Sequence, residues 1–168
     1  SQSIEISSSA YTLNDRASCY RNLSKFDLAI KDYLSAISIN PELPFIYNNI
    51  ASVYAVVGEF EKAVEYYNKA LFKDKEYTLA FNNLASVFLE NKQYELALEN
   101  IQNALAINPE YAPAYNNRGV LKHNYEKYDE AISDFNKAIS LNSSYAKAYL
   151  NRGITKQYVR DEKGACMD

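Results

Sequence analysis

Asparagine recurs along this chain at a fixed interval of 34 residues. Two series run side by side, Asn49, Asn83, Asn117 and Asn151, and one residue before them Asn48, Asn82 and Asn116. A carboxamide both donates and accepts hydrogen bonds, so it can match the N–H and C=O of a peptide unit without reading its side chain. Inside a helix, asparagine costs about 0.5 kcal/mol relative to alanine. The two series therefore predict a ladder for peptide backbone; the alternative is that they bond to neighbouring repeats or face solvent.

Aspartate follows arginine by sixteen residues at three places: Arg16 and Asp32, Arg118 and Asp134, Arg152 and Asp168. The corresponding slots elsewhere change together, to Ile50 with Tyr66 and to Leu84 with Asn100. An arginine on one helix and an aspartate on the next can pair only if the helices fold back antiparallel. We therefore predict salt bridges within repeats, with a structural rather than a catalytic role.

No catalytic constellation is evident. The single histidine, His123, has no nucleophile or orienting acid in a recognisable pattern, and a solvated or ligand-facing histidine is expected. There is no glycine-rich phosphate loop and no HExxH zinc motif. Cys19 and Cys166 lie near opposite ends and form no CxxC, which predicts two reduced packing cysteines. We expect no enzymatic activity, no metal and no cofactor.

Composition narrows the class of protein further. Of 168 residues, 48% are hydrophobic and 23% charged, with a net charge of −3, as in ordinary globular proteins. The absence of a basic run argues against nucleic-acid binding. No apolar stretch approaches the ~18 residues of a membrane span, and the first residues lack the pattern of a signal peptide. We therefore expect neither a nucleic-acid partner nor membrane insertion.

The asparagines belong to a longer repeat of the same period. Alanine recurs at Ala29, Ala63, Ala97 and Ala131, and again at Ala36, Ala70, Ala104 and Ala138. Apolar residues within each period follow helical spacing and predict two helices separated by a short polar turn. The second helix should end at a residue type that tolerates a left-handed cap. These residues are Asn40, Asp74, Asn108 and Asn142.

At this point the sequence resembles a known family. The third repeat carries a characteristic series of aromatic, small and proline residues. These are Phe81, Leu84, Ala85, Phe88, Ala97, Ala104 and Pro109. This pattern, with the 34-residue period, resembles the tetratricopeptide repeat (TPR) over residues 10–168. The chain departs from the pattern by lacking tryptophan, whose slot holds Tyr47, Phe81, Tyr115 and Tyr149. The resemblance implies an all-α fold, a right-handed α-solenoid (superhelix) of antiparallel helix pairs.

The repeat sets the expected domain boundaries. Residues 1–9 form an N-terminal segment that echoes the end of a preceding repeat, and residues 146–168 form a partial fifth repeat that enters its second helix. The four full repeats are residues 10–43, 44–77, 78–111 and 112–145. A single pair of helices buries too little surface to fold alone, so stacking on neighbouring repeats must supply the core.

The resemblance also implies that the first helix of each repeat lines a concave groove. Besides the asparagines, the groove-facing candidates are Ser52, Ser86, Phe45, Leu79 and His123, with Tyr11, Ser18, Val120, Asn124, Lys147 and Tyr158 at further helical offsets. Few of these side chains are charged. The clamp with which some TPR proteins grip carboxylate termini needs several lysines and arginines, and the corresponding slots hold Asn14, Ser18, Leu79 and Asn83. A neutral or partly apolar segment is therefore the favoured ligand. An extended segment is preferred, and a helical one stays open because TPR grooves also bind helices.

The function predicted from the sequence is a non-catalytic protein–protein interaction scaffold that binds a peptide segment of a partner through the asparagine ladder. The alternative is a recruiting or assembly module excised from a larger enzyme or multi-protein machine. Because no polar terminal helix caps the repeats, we also expect either self-association through the ends of the array or further chain beyond them. The compartment stays open, with the cytoplasm favoured.

Overall fold

The computed structural model describes the backbone of residues 2–165 and the side chains of residues 9–159, and it is all-helical over this range. The helices are α1 (Gln2–Asn22), α2 (Phe26–Ile39), α3 (Pro44–Val56), α4 (Phe60–Lys73), α5 (Thr78–Glu90), α6 (Tyr94–Ile107), α7 (Ala112–Asn124), α8 (Tyr128–Leu141) and α9 (Ala146–Ala165). The prediction of an all-α fold is thereby confirmed. None of the described helices is long and apolar enough to cross a membrane.

The chain divides into two compact units, with the boundary inside α5 between Val87 and Phe88. In the N-terminal unit, α1 packs on α2, α2 on α3, and α3 on α4. In the C-terminal unit, α6 packs on α7, α7 on α8, and α8 on α9. The first helices of neighbouring repeats also touch, α1 with α3 and α7 with α9. This contact brings equivalent positions of successive repeats together, and it decides the arrangement of the candidate site.

Small residues allow the helices of each repeat to approach closely. All the alanines of the two repeated slots named above are fully buried. In the fourth repeat Gly119 takes the place held by Ala17, Ala51 and Ala85. A Cβ at Gly119 would lie 2.5 Å from Cε1 of Phe135. The ring of Phe135 therefore fills the volume that an alanine methyl would otherwise occupy.

Two tyrosines explain part of the departure from tryptophan. The Tyr47 hydroxyl donates to the carbonyl of Pro41 at 3.0 Å, and that of Tyr115 donates to Pro109 at 3.0 Å. Each bond joins the first helix of a repeat to the turn that precedes it. A phenol supplies an aromatic body together with one polar group that finds a partner.

The turn between the two helices of a repeat has a left-handed residue in four repeats. These residues are Ser24 (φ 57°), Gly58 (φ 81°), Lys92 (φ 58°) and Glu126 (φ 61°). The following N–H bonds the carbonyl five residues earlier, as from Lys25 to Tyr20 at 2.9 Å and from Glu59 to Tyr54 at 2.9 Å. This is the Schellman arrangement, which satisfies the last carbonyls of the first helix. Only Gly58 signals it in the sequence.

The turn between repeats differs from the prediction. The residues that end the second helices were expected to be left-handed, and they are extended instead, with φ between −144° and −130°. Their side-chain oxygens accept the N–H two residues further on, as Asn40 does from Glu42 at 3.1 Å and Asp74 from Glu76 at 2.9 Å. Asparagine and aspartate are therefore favoured here because they form this local turn, not because they tolerate positive φ.

The ends of the described chain also differ from the expected pattern. Helix α1 begins at Gln2, so residues 2–9 continue into the first helix of the first repeat. Helix α9 runs without a turn to Ala165, past the position equivalent to Glu126, so no second helix of a fifth repeat forms over the described residues. A left-handed residue costs about 1–2 kcal/mol, which packing of a second helix offsets in the first, second and fourth repeats.

We expect opposite effects from the same substitution at two glycines. Gly58→Ala should lower the free energy of unfolding by about 1 kcal/mol because alanine is strained in the left-handed conformation. Gly153→Ala should raise it by about 1 kcal/mol because alanine is the better helix former. A Cβ at either position would meet no atom within 4 Å, so the two free-energy changes should reflect backbone conformation and not new side-chain contacts. Urea unfolding followed by circular dichroism measures both, and shifts of equal sign would contradict the prediction.

Candidate functional site

The predicted site residues lie on one side of the first helices, and we call this side the first-helix face. It comprises the residues of α1, α3 and α5 in the N-terminal unit, and separately those of α7 and α9 in the C-terminal unit, that carry the two asparagine series. The series differ in exposure. Asn48, Asn82 and Asn116 are buried, whereas Asn49, Asn83 and Asn151 are half-buried and Asn117 is buried.

In the N-terminal unit the two series form one chain of hydrogen bonds across three first helices. Asn83 of α5 donates from Nδ2 to Oδ1 of Asn48 at 3.1 Å, and Asn48 donates to Oδ1 of Asn49 at 3.5 Å. Asn49 in turn donates to Oδ1 of Asn14 in α1 at 2.9 Å, and Asn14 donates to Asp15 at 3.2 Å. The chain fixes the orientation of each carboxamide, because every link uses one defined oxygen and one defined nitrogen.

The C-terminal unit repeats the same link. Asn151 of α9 donates from Nδ2 to Oδ1 of Asn116 in α7 at 2.9 Å. In both units the donor lies 35 residues after the acceptor, so a half-buried asparagine of one repeat is held by a buried asparagine of the repeat before it. The sequence assigned both series the same role, and the structure gives them different surroundings.

The half-buried asparagines keep hydrogen-bonding capacity beyond these links. A carboxamide has two N–H donors and an oxygen with two lone pairs. Asn83 and Asn151 each use one N–H within the described structure, which leaves the second N–H and the oxygen for a ligand or water. Asn49 also accepts from Asn48, so it keeps one N–H and one lone pair. Each of these side chains therefore presents a donor and an acceptor together.

Two serines of the face bond the second helix of their own repeat. Ser52 donates to the carbonyl of Asn48 at 3.0 Å and bonds the hydroxyl of Tyr67 at 3.0 Å. Ser18 bonds the hydroxyl of Tyr33 at 2.9 Å in the same way. Ser18 and Ser52 thus join the first and second helices of a repeat and offer only part of their hydrogen-bonding capacity to the surface. Ser86 is half-buried in α5.

Apolar side chains flank the asparagines in the N-terminal unit. Phe45 of α3 stacks on Tyr11 of α1, with ring centroids 5.4 Å apart and an interplanar angle of 21°. Leu79 is exposed on α5. The face therefore offers polar carboxamides beside aromatic and aliphatic surface.

His123 has a defined environment in the C-terminal unit. Its Nδ1 lies 3.0 Å from Oγ1 of Thr155, and its ring contacts those of Tyr128 and Tyr158 edge-on. Burial lowers the pKa of His123 below its ordinary value, so the imidazole is neutral at physiological pH. Sequence reasoning missed Thr155, which is 1% exposed. In the part of the chain that is described, no group of His, Cys, Asp or Glu is placed to hold a metal ion.

Two of the arginine–aspartate pairs form as bidentate salt bridges. Arg16 donates to Asp32 at 2.6 and 2.9 Å, and Arg118 donates to Asp134 at 2.6 and 2.9 Å. Lys122 adds a third cation, 2.9 Å from Asp134. The hydrogen bond from Arg16 holds the pKa of Asp32 below its usual value although burial opposes this shift.

The third predicted pair has a different outcome. Asp168 lies outside the described residues, and Arg152 instead donates to Oδ1 of Asn136 in α8 at 2.6 Å. The cysteine prediction is also only partly testable, because Cys166 lies outside the described residues too. Cys19 is exposed rather than packed in the core.

A second concave surface lies away from the first-helix face. It is an open cavity of about 560 Å³ among the residues Ile37, Tyr47, Glu65, Tyr66, Asn68, Lys69, Phe72 and Lys73. Phe72 is strongly exposed there, and Lys69 lies 4.4 Å from the centre of the Tyr66 ring. Both lysines are paired with carboxylates, Lys69 with Glu65 and Lys73 with Glu42. Sequence reasoning did not predict this surface.

Comparisons with known proteins give a consistent result. The profile of the tetratricopeptide repeat matches residues 10–43, 44–77 and 112–145, and a second profile of the same description matches residues 79–111. No curated protein sequence matches closely enough to be counted as a relative.

Several solved structures are similar to this chain. MamA has a TM-score of 0.70 at 25% identity, covering 92% of this chain and 85% of its own. A TPR protein from Parabacteroides merdae reaches 0.78 at 25% identity, with 94% of this chain and 62% of its own covered. YrrB, a TPR protein with an unusual peptide-binding site, reaches 0.64 at 25% identity, with 88% and 76% covered.

Replacing Arg16 should raise the pKa of Asp32. In the native protein the lowered pKa means that Asp32 stabilises the fold above its unfolded pKa of about 3.9, and this contribution is lost as pH falls through the folded pKa. In Arg16→Met the carboxylate of Asp32 is buried without its partner, so its pKa should rise above the unfolded value. The contribution of Asp32 to the free energy of unfolding should then increase as the pH falls. The carboxyl carbon shift of Asp32 in NMR titrations measures the pKa.

A matched control is Lys31→Met, which removes a neighbouring charge that makes only a minor contribution to the same shift. It should move the pKa of Asp32 much less than Arg16→Met does. Equal pKa values for Asp32 in the native chain and in Arg16→Met would contradict the role given to the ion pair.

Proposed function

Because this chain belongs to the tetratricopeptide repeat family, whose fold serves as a protein-interaction scaffold, we propose that its first-helix face holds an extended peptide segment of a partner protein. The half-buried asparagines bond the peptide backbone, and the buried asparagines position them. The observation that carries this proposal is the set of links from Asn49 to Asn14, from Asn83 to Asn48 and from Asn151 to Asn116.

These links support peptide binding because they prepare the carboxamides before a ligand arrives. A free asparagine side chain must be ordered on binding, at a cost of about 0.5–1.5 kcal/mol for a flexible side chain. Here one N–H of Asn83 is already engaged, which turns its remaining donor and acceptor in a fixed direction. A peptide unit, with its own donor and acceptor, matches this pair.

The spacing of the first helices suits an extended ligand. Packed neighbouring helices lie about 8–10 Å apart, and an extended chain advances about 3.3 Å per residue. Within the N-terminal unit, Asp15, Asn49 and Asn83 occupy equivalent positions on α1, α3 and α5. One such side chain per helix would meet about every third residue of the peptide.

The surroundings favour a neutral or partly apolar segment. In the N-terminal unit the asparagines are flanked by the stacked pair of Tyr11 and Phe45 and by exposed Leu79. Arg16, the nearby cation of α1, is engaged by Asp32. An anionic terminus would therefore find little charge compensation. Similarity to YrrB, a TPR protein with a peptide-binding site, supports a peptide as the ligand.

We expect Asn83→Ala to weaken a peptide selected by display against this chain by about tenfold, since hydrogen bonds to the peptide would be lost at about 0.5–1.5 kcal/mol each. The matched control is Asn68→Ala, the same change at an exposed position of α4. It should leave affinity unchanged. Titration calorimetry measures affinity, and circular dichroism shows whether helicity is kept.

Backbone recognition has a second signature. N-methylation of single peptide bonds in the ligand should weaken binding at about every third position, and Asn83→Ala should remove the sensitivity at one of them. If affinity depends only on ligand side chains and Asn83→Ala binds as the native chain does, the ladder is refuted.

A further inference from the structure

The C-terminal unit contains a partly open pocket next to Asn151. It measures about 200 Å³ and lies among α7, α8 and α9, and we call it the His123 pocket. Its lining residues are Val120, His123, Phe135, Asn151, Ile154 and Thr155. The walls are mostly apolar, and the polar atoms come from an imidazole, a carboxamide and a hydroxyl.

The hydrogen bonds around Thr155 define the tautomer of His123. The Thr155 hydroxyl donates its single proton to the carbonyl of Asn151 at 2.8 Å. Both contacts can be hydrogen bonds at the same time only if this oxygen accepts from His123, whose Nδ1 lies 3.0 Å away and then carries the imidazole proton. Nε2 is then an unprotonated acceptor. No described residue bonds Nε2, and no buried side-chain nitrogen or oxygen in the described part of the chain lacks a partner, so Nε2 is reached by solvent.

The fourth repeat differs from the second at two pairs of slots around the pocket. In the second repeat Ser52 bonds Tyr67, whereas the equivalent residues here are Val120 and Phe135, which cannot form that bond. The slots of His123 and Thr155 hold apolar residues in the second and third repeats, Ala55 with Val87 and Leu89 with Leu121. Relative to the second repeat, one polar pair has therefore become apolar and one apolar pair has become polar.

We propose that the His123 pocket binds a tyrosine side chain, with the phenol donating to Nε2 of His123. An apolar cavity of about 150 Å³ is enough to hold benzene, and this one is somewhat larger. Phe135, Val120 and Ile154 supply the contact surface for the ring. A phenylalanine would leave Nε2 without a donor, and a serine or threonine would leave the apolar walls uncovered.

This assignment rests on the proposed function, because the tyrosine belongs to the peptide held by the first-helix face. Asn151 lines the pocket, and its side chain keeps one N–H and the oxygen Oδ1 for a ligand. A peptide whose backbone bonds Asn151 would therefore place a neighbouring side chain at the pocket. Recognition of one side chain here would add sequence specificity to a ladder that reads only backbone.

The pocket can be tested without a peptide. The probes are p-cresol, which is the tyrosine side chain, and toluene, which lacks the hydroxyl. At a pH above the pKa of His123, p-cresol should shift the NMR signals of the Ile154 methyls and the His123 ring. It should bind about fivefold more tightly than toluene, because one additional hydrogen bond contributes roughly that much affinity. Imidazole nitrogen-15 shifts should show the proton on Nδ1.

His123→Phe keeps an aromatic ring and removes the acceptor, so it should abolish the preference for p-cresol over toluene. Thr155→Val removes the group that fixes the tautomer and should reduce that preference while p-cresol still binds. Ser52→Ala, on the face of the other unit, is the control and should change neither titration. Thermal unfolding checks that each variant is folded.

Equal affinity for the two probes in the native chain, or shifts confined to other residues, would overturn the proposal. Tighter binding of 3-methylindole than of p-cresol would overturn the choice of tyrosine in favour of tryptophan. The outcome is separable from the peptide ladder: specific p-cresol binding with no effect of Asn83→Ala on peptide affinity would keep the pocket and refute the ladder.

Discussion

Close approach of neighbouring helices is the constraint on which the rest of this structure depends. A pair of helices of about 34 residues cannot bury enough surface alone, so each pair must pack internally and against its neighbours. The fully buried alanines at equivalent positions permit this. Where alanine becomes Gly119, the ring of Phe135 occupies the released space. The same contact between first helices places the asparagines of successive repeats within hydrogen-bonding distance.

Packing also explains why the chain accepts unfavourable local backbone. Ser24, Lys92 and Glu126 adopt positive φ without being glycine, at a cost of about 1–2 kcal/mol each. The burial of a whole second helix against the first outweighs that cost at Ser24, where α2 packs on α1, and at Glu126, where α8 packs on α7. Between repeats the chain turns without strain, because a side chain such as Asn40 accepts the backbone N–H of Glu42 and closes the turn. The two kinds of turn thus depend on tertiary and local interactions respectively.

The polar groups of the first-helix face have two functions in one network. Asn48 and Asn116 are buried and would be costly if left without partners. They are satisfied by Asn83 and Asn151, and this keeps those two side chains ordered at the surface. In the proposed function, stabilisation of the array and preparation of the binding surface are therefore one interaction. At His123 a buried hydroxyl, that of Thr155, likewise bonds a half-buried polar side chain.

The sequence by itself determined the helical repeat, its period, the fully buried alanine positions and the sixteen-residue spacing of Arg16 with Asp32 and Arg118 with Asp134, because these follow from helical periodicity and from residues that change together. It also identified the asparagine series as the polar feature that needs an explanation. Only the tertiary structure decided which series is buried, that α9 continues without a turn, and that Thr155 faces His123. These outcomes depend on contacts between residues 32 to 35 positions apart or on the packing of whole helices. The spacing of residues along the sequence predicts which residues share a helix face, but it does not predict which side chains of a neighbouring helix will cover that face.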